Sequence, residues 1–471
     1  MIVMKFGGTS VQNATAIVQA GEIVRGRLAR QPIVVVSALA RVTDTLLKTA
    51  RIAERRNSGD ALALLAELRD RHITTARDLL VEKDSRSLDD EKSRRSYGLA
   101  TIEAEIEEQF ADLEGLVRSV ATLGELTPRT QDAIASFGER LSSLIVAAAF
   151  RHRGINAEVV DSRELIVTDD KFTTAAPDFA ETEARARSEL VPLIESRRVP
   201  VAQGFIGATR DGVTTTLGRG GSDYSAAIVG ATLGVESIEI WTDVDGLMTA
   251  DPRIVPNARR IRVISFDEAS ELSYFGAKVL HPSTVMPAVE RGIPVHIYNT
   301  LKPECAGTLI VASPKSSKNL IKSIAFKRGV TITNITSTRM LAAYGFLRAI
   351  FEVFDKHYTP VDVVTTSEVS VSITLDDTDH LDAIVRDLAV FGEIRVEREK
   401  AIVCVVGDNL KFKPGVAARV FSAIAKTNVN MISQGASEIN LTFVIDEADV
   451  ENVVAALHAE FFADVDSEVF D

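Results

Sequence analysis

Two segments carry residue types that hold anions. In TTTLGRGGSDYSAA, residues 214–227, Gly218, Gly220 and Gly221 surround Arg219 and pass at once into a small-residue helical pattern that opens with Ser222 and Asp223. Glycine admits positive φ and leaves amides uncovered, so a Gly-rich turn feeding a helix start aims several N–H groups and the positive end of the helix dipole at one spot. Near the start of the chain, VMKFGGTS sets Lys5 at a strand end just before Gly7 and Gly8, with Thr9 and Ser10 able to cap a following helix. The chemistry such residues suit is the holding of phosphate or carboxylate, with a fixed ammonium facing a transferring phosphoryl group. Taken singly, each segment reads more readily as a tight strand-to-helix turn or a solvated edge lysine than as an anion site. Neither matches a Walker loop or a dinucleotide fingerprint, and the chain has no H-E-x-x-H or G-x-S-x-G.

The elements that must position these residues follow from periodicity. Through roughly the first 300 residues, short β-branched runs (MIVMKF, PIVVVSA, NAEVVD, VPVAQGFIG, SIEIWTDVDG, IPVHIYNT) alternate with amphipathic stretches, the pattern of an α/β unit with a largely parallel sheet. Residues 44–130, rich in Glu, Arg, Leu and Ala, predict a mostly helical excursion that would form a lid or a substrate-side subdomain. Pro, Ser, Gly and Lys gather at residues 301–325, which reads as a linker, so the expected domains are 1–300, then 326–398 and 399–471. The last two are an internal repeat: adding 70 carries Gly345 to Gly415, Phe351 to Phe421, Ser367 to Ser437, Glu368 to Glu438 and Asp376 to Asp446, with no gap. Each copy predicts a small α+β module, and the two are expected to share strands.

Composition narrows the classes further. The chain of 471 residues has 53 Lys plus Arg against 66 Asp plus Glu, a net charge of −13, which disfavours a general nucleic-acid surface. The two cysteines, Cys305 and Cys404, lie far apart without ligand spacing, so neither a disulfide framework nor a zinc site is expected. The opening residues lack a secretory pattern and the apolar runs look too short to span a bilayer, giving the expectation of a cytoplasmic protein with no membrane partner.

In one order along the chain, KFGGTS, SALARVTD, SFGERLSS, TTTLGRGGSDYSAA, WTDVDGLMTADPR and FGAKVLHP resemble the aspartate kinases of the amino acid kinase superfamily, and the paired modules resemble the ACT (ferredoxin-like) domains that follow the kinase unit there. The resemblance implies ATP-dependent phosphorylation of the side-chain carboxylate of L-aspartate; ATP chemistry in turn implies Mg²⁺, for which no protein cage can be read in the sequence. It implies Lys5, Arg219 and Asp223 as catalytic residues: Lys5 facing the nucleotide phosphates, Arg219 clamping the substrate carboxylate and Asp223 organising the cations. Ser37, Thr43, Glu139 and Ser222 would complete the substrate site, Glu139 taking the substrate ammonium. Gly7, Gly8, Thr242, Asp243, Asp251, Arg253 and Lys278 would bind ATP with Lys5. The LAR between Ser37 and Thr43 departs from the small residues common in the family at that loop. A carboxylate already ionised at pH 7 needs no general base.

The first repeat copy resembles the effector domain of the lysine-inhibited members, which implies contacts from Met340, Gly345, Phe346, Leu347, Val361, Asp362, Thr366, Ser367 and Glu368. Asn430 falls where Asp362 stands in the first copy, so the first copy is the expected effector site, in a homodimer paired through these domains. Inhibition by threonine, a non-catalytic amino-acid sensor and a sister kinase acting on acetylglutamate or uridylate are the competing readings. A fused homoserine dehydrogenase is not expected at this length.

Overall fold

The computed structural model describes residues 1–80, 98–277, 282–314, 318–340 and 344–471. They fall into two compact units, Met1–Gly246 with Val279–Ser313, and Leu247–Lys278 with Pro314–Asp471. The segment Leu247–Lys278 thus goes with the repeats, where the sequence reading had placed it in the first 300 residues.

The first unit is built on β1 (Ile2–Phe6), β2 (Pro32–Val36), β3 (Ala157–Val160), β4 (Val199–Gln203), β5 (Ser237–Thr242), β6 (Val295–Asn299) and β7 (Thr308–Val311), side by side in the order β3-β4-β2-β1-β5-β6-β7. All neighbours are parallel except β7, which returns antiparallel to β6. β1 is buried at every position, as a strand covered on both faces must be, and Lys5 is its one charged residue. Register places Phe6 opposite Val36 of β2 and Trp241 of β5, so three strands end level and the chain leaves them into the crevice where α/β sheets bind ligands.

Around the sheet lie α1 (Ala14–Arg25), α2 (Val42–Glu54), α3 (Ser58–Leu80), α4 (Leu99–Leu123) and α5 (Pro128–His152). The starts of α1 and α5 follow from local chemistry. Asn13 accepts the Ala16 N–H at 3.0 Å ahead of α1, and Thr127 accepts the Thr130 N–H at 3.2 Å ahead of α5, with Pro128 in its first turn. The helical excursion is no separate subdomain. Leu65 and Ile73 of α3 and Ile106 and Phe110 of α4 join Ile2, Met4 and Phe6 in one apolar cluster, because their apolar stripes face inward. Residues 81–97 of that excursion lie outside the described residues. One expectation is corrected: α5 is long and apolar enough to cross a membrane, but 89% of its apolar window is buried inside the protein, so its hydrophobicity serves the core.

The second unit holds β8 (Ile321–Thr336), β9 (Val364–Thr366), β10 (Ser370–Leu375), β11 (Glu393–Gly407), β12 (Met431–Gln434) and β13 (Asn440–Asp446), in the order β9-β10-β8-β11-β13-β12. The modules interleave. β8 pairs β10 through Thr331–Thr336, while its first half, from Ile321, runs against the part of β11 that pairs β13. The second module is therefore completed by a strand that precedes the first, and 321–325, read as linker, is strand. Gly345 and Gly415 begin equivalent helices, Phe346–Lys356 and Val416–Ala423, at φ 77° and 85°, a conformation that favours glycine. The repeat is not gap-free throughout. The Asp362 N–H donates to Thr374 O and the Asn430 N–H to Val444 O, so the edge strands correspond at an offset of 68, and the turn of the second copy, with Gly435 at φ 99°, absorbs two extra residues.

Candidate active site

At the carboxyl end of β1, the Lys5 ammonium pairs with Asp223 Oδ1 at 2.6 Å, both side chains nearly buried. Asp223 is delivered by α6 (Gly221–Leu233), whose start is the second Gly-rich segment. Gly218 and Gly220 take φ 77° and 72°, so the turn around Arg219 needs residues without a Cβ. Gly7 and Gly8 serve differently. A Cβ on Gly7 would stand 3.6 Å from Lys5 Nζ, and one on Gly8 would press to 3.1 Å from the Ala38 carbonyl. Their bareness keeps the space above the ammonium open and lets the 7–10 loop approach the loop after β2. The two segments singled out in the sequence are thereby one place, joined by the Lys5–Asp223 pair.

Glu139, midway along α5, is 3% exposed. Its Oε1 accepts the Ala38 N–H at 3.2 Å, while Oε2 is buried with no hydrogen-bond partner. Burial pushes its carboxyl up to about 8, against the pull of the Ala38 amide and the Lys5 charge. A buried carboxylate oxygen without a donor is costly unless something brings one. Gly138 makes the approach possible, since a Cβ there would lie 2.9 Å from the Ala38 Cβ. Ser37 and Thr43 flank this contact, half-buried, with the Ser37 N–H donating to Phe6 O at 3.1 Å. Between them Arg41 takes φ 67° as it starts α2, and Arg71 of α3 donates to Ala40 O at 2.9 Å and Gln12 O at 3.1 Å. The unusual LAR loop is thus braced from the helical excursion.

Arg219 is exposed and makes no ion pair among the described residues. Ser222 packs against Gly204, where a Cβ would collide with it at 2.6 Å. Beyond β5, the Thr242 hydroxyl donates to Asp243 Oδ1 at 3.2 Å, and Asp243 is exposed. Asp251 and Arg253 belong to the second unit, where they bind each other, Arg253 Nε to Asp251 Oδ1 at 3.0 Å and Nη2 to Oδ2 at 2.5 Å. That guanidinium holds the Asp251 carboxyl below the usual range. Lys278 lies outside the described residues. Ser10, expected as a helix-capping hydroxyl, leaves that role to Asn13 and instead reaches Trp241 O at 3.1 Å and the Thr300 hydroxyl at 2.7 Å, tying the Gly7–Gly8 loop to the ends of β5 and β6. Trp241 is wholly buried against Phe6 and Tyr298.

In the second unit, Met340 and Phe346 pack on the core of the first module, whereas Gly345, Leu347, Thr366, Ser367 and Glu368 are exposed and Val361 is half-buried. Ser367 shapes the β9–β10 turn, its hydroxyl taking the Ser370 N–H at 3.2 Å, and Ser437 repeats this towards Ile439 at 3.3 Å. Asp362 is already engaged. Lys327 reaches it at 3.2 Å and Asp376 at 2.6 Å, and the Tyr274 hydroxyl donates to Asp362 Oδ1 at 2.5 Å.

Residues 1–299 match the model of the amino acid kinase family and residues 403–461 that of the ACT domain. Over 98% of this chain, lysine-sensitive aspartokinase 3 of Escherichia coli is 35% identical, with 99% of its own length covered. The chloroplastic aspartokinase 3 of Arabidopsis thaliana is 38% identical, with 81% covered. The chain belongs to the aspartokinase family. The crystal structure of E. coli aspartokinase III with aspartate and ADP, in its R state, overlays with a TM-score of 0.83 at 35% identity, covering 98% of this chain and 100% of that one. Its complex with lysine and aspartate, the T state, gives the same score over 98% and 99%. The aspartokinase fold, a kinase unit on a mostly parallel sheet followed by ACT modules, is that of this chain.

Proposed function

We propose that this aspartokinase transfers the γ-phosphoryl group of ATP to the side-chain carboxylate of L-aspartate in the crevice above Lys5, and that L-lysine restrains it through the first ACT module. The observation that carries the reading is the buried, unpartnered Oε2 of Glu139 in the field of Lys5, in a unit that also holds an unpaired Arg219. An ammonium and a carboxylate are what a free amino acid offers such a pair, whereas acetylglutamate and UMP lack the ammonium.

In this reading Lys5 and the amides of Gly7 and Gly8 hold the phosphoryl oxygens as charge spreads over them, and Arg219 takes the carboxylate with its planar fork. Asp223 keeps the ammonium of Lys5 aimed when no phosphate is present. Ser37, Thr43 and Ser222 line the amino-acid side, and Thr242, Asp243, Asp251, Arg253 and Lys278 serve the nucleotide. No cluster of acidic or histidine ligands converges among the described residues. Mg²⁺ would arrive on the phosphates, as it does where one or two carboxylates and substrate oxygens suffice.

For the effector, Glu368 is exposed for an ammonium, and Asp362 becomes available only by exchanging Lys327 for the incoming cation. The reading extends to a homodimer through the ACT modules, supported by the exposed Leu347 and Phe351, and to the cytoplasm, supported by the unpaired Cys305 and Cys404. Steady-state kinetics test the catalytic assignment. Lys5→Ala and Arg219→Ala are each expected to lower kcat/KM about 100-fold or more, the usual cost of removing a positioned charge from phosphoryl transfer. Near-normal values in both variants would overturn the assignment, as would equal turnover with UMP or acetylglutamate in the wild type.

A further inference from the structure

Asp132 enters none of the roles above, yet it is among the most thoroughly used carboxylates in the first unit. It lies on α5, 1% exposed, seven residues before Glu139. Seven residues are nearly two turns, so both carboxylates leave the same face of the helix, about 10 Å apart along its axis. Its Oδ2 accepts the Thr173 N–H at 2.8 Å and the Thr216 N–H at 2.9 Å, and its Oδ1 accepts the Thr216 hydroxyl at 2.8 Å. A buried carboxylate taking two amides and a hydroxyl fixes all three donors at once.

What those donors belong to gives the bonds their meaning. Thr216 ends the short strand Thr214–Thr216 that runs into Gly218 and Arg219. Its carbonyl accepts the Ala175 N–H at 2.9 Å, and a Cβ on Gly218 would press to 3.3 Å from Thr173 O, so the 173–175 segment backs the Gly-rich turn. Thr173 holds φ 72°, an outlier for a β-branched residue, and strain of this kind persists only where neighbours impose it. Here the Asp132 carboxylate holds its amide.

We propose that Asp132 is a positioning residue for the amino-acid substrate: it locks the Arg219 turn to the helix that carries Glu139, and so sets the span across which the substrate's carboxylate and ammonium are held. The proposal rests on the reading that Glu139 and Arg219 hold aspartate. In Asp132→Asn the charge that strengthens all three bonds is lost, and the oxygen facing the Thr216 hydroxyl becomes an NH₂ that this hydroxyl can meet only by turning round to accept, so the turn is held less firmly while Lys5, β1 and the nucleotide side keep their places.

The test is a split in the kinetic constants. Asp132→Asn is expected to raise KM for aspartate about tenfold or more, with KM for ATP and kcat held within about threefold, the signature of lost ground-state positioning. Thr216→Val, which removes only the hydroxyl donor, is expected to move the aspartate KM in the same direction by less, and Thr216→Ser to restore it. An unchanged aspartate KM in folded Asp132→Asn overturns the proposal. So does a loss spread equally over both KM values and kcat, which would mark a merely structural residue. Should Asp132→Asn fail to fold, an unchanged aspartate KM in Thr216→Val overturns it. Arg219→Ala separates the layers: if that variant keeps the wild-type aspartate KM, the substrate reading itself falls, and if it raises KM while Asp132→Asn does not, only the positioning role falls.

Discussion

At the scale of single residues, the site is governed by what each charge lacks. Lys5 has its counter-ion in Asp223, and both were legible because glycines and charges cluster within short segments whose meeting at the ends of parallel strands follows from topology. Glu139 was legible from its motif but its state was not, because the burial that pushes its carboxyl up to about 8 comes from α5 closing on the loop after β2. A pH dependence follows. Below about 8 free Glu139 is protonated, while an ammonium ligand requires it ionised, so in the proposed role the binding of aspartate at neutral pH would expel a proton. KM for aspartate is expected to fall as pH rises from 6.5 towards 8 and to level above it, and Glu139→Gln is expected to weaken binding and abolish the slope. A pH-independent wild-type KM over that range would contradict the role. Asp362 was singled out by its place in the repeat, but its engagement was not foreseen, since its partners Lys327 and Tyr274 stand 35 and 88 residues away, beyond any local pattern. Asp132 shares a helical face with Glu139 at a spacing of seven, a signal present in the sequence that only its three bonds make meaningful.

At the scale of elements, the alternation of β-branched runs with amphipathic stretches foretold the parallel sheet, because β1, β2, β4 and β5 are buried almost throughout and read as short runs rich in apolar residues, broken only at such positions as Lys5, Gln203 and Glu239. The sharing of β8 and β11 between the ACT modules was less legible in detail, since a repeat of 70 says which segments are alike and nothing of which pair. Over its described residues the helical excursion is helix, as read, but its interior holds His72, an apolar-environment histidine no pattern marks. His72 on α3 is wholly buried, its Nδ1 2.7 Å from Leu68 O and its ring edge-on to Phe110, and burial pulls it down to about 4. A histidine kept neutral in the folded state contributes stability that is complete above its unfolded value near 6.5 and is lost as pH falls through 4. The urea midpoint is expected to drop over that window by the equivalent of roughly 3 kcal/mol, and His72→Leu to flatten that part of the profile. An identical profile in the variant would assign the acid sensitivity elsewhere.

At the scale of the whole molecule, control of catalysis by an effector requires that lysine prefer one of two global states, typically by about 1–3 kcal/mol. The asymmetry between the copies, Asp362 against Asn430 at equivalent hydrogen-bonded positions, is the ground for proposing the effector site in the first module, while Glu368 and Glu438 stand in matching turns. Glu368→Gln is expected to shift the lysine inhibition curve to higher concentration by about tenfold or more with uninhibited turnover unchanged, and Glu438→Gln to leave the curve in place. Coincident curves for both variants and the wild type would remove the first-module site, and inhibition by threonine alone would replace the effector. The bond that is made is decisive for the catalytic role of the Lys5 crevice. If the Lys5 crevice delivers a phosphoryl group to the side chain of aspartate, the product is an acyl phosphate, and hydroxylamine included in the reaction must trap it as aspartate β-hydroxamate in amounts matching the ADP formed. ADP formed with no hydroxamate, or hydroxamate at the α-carboxyl group, would contradict it.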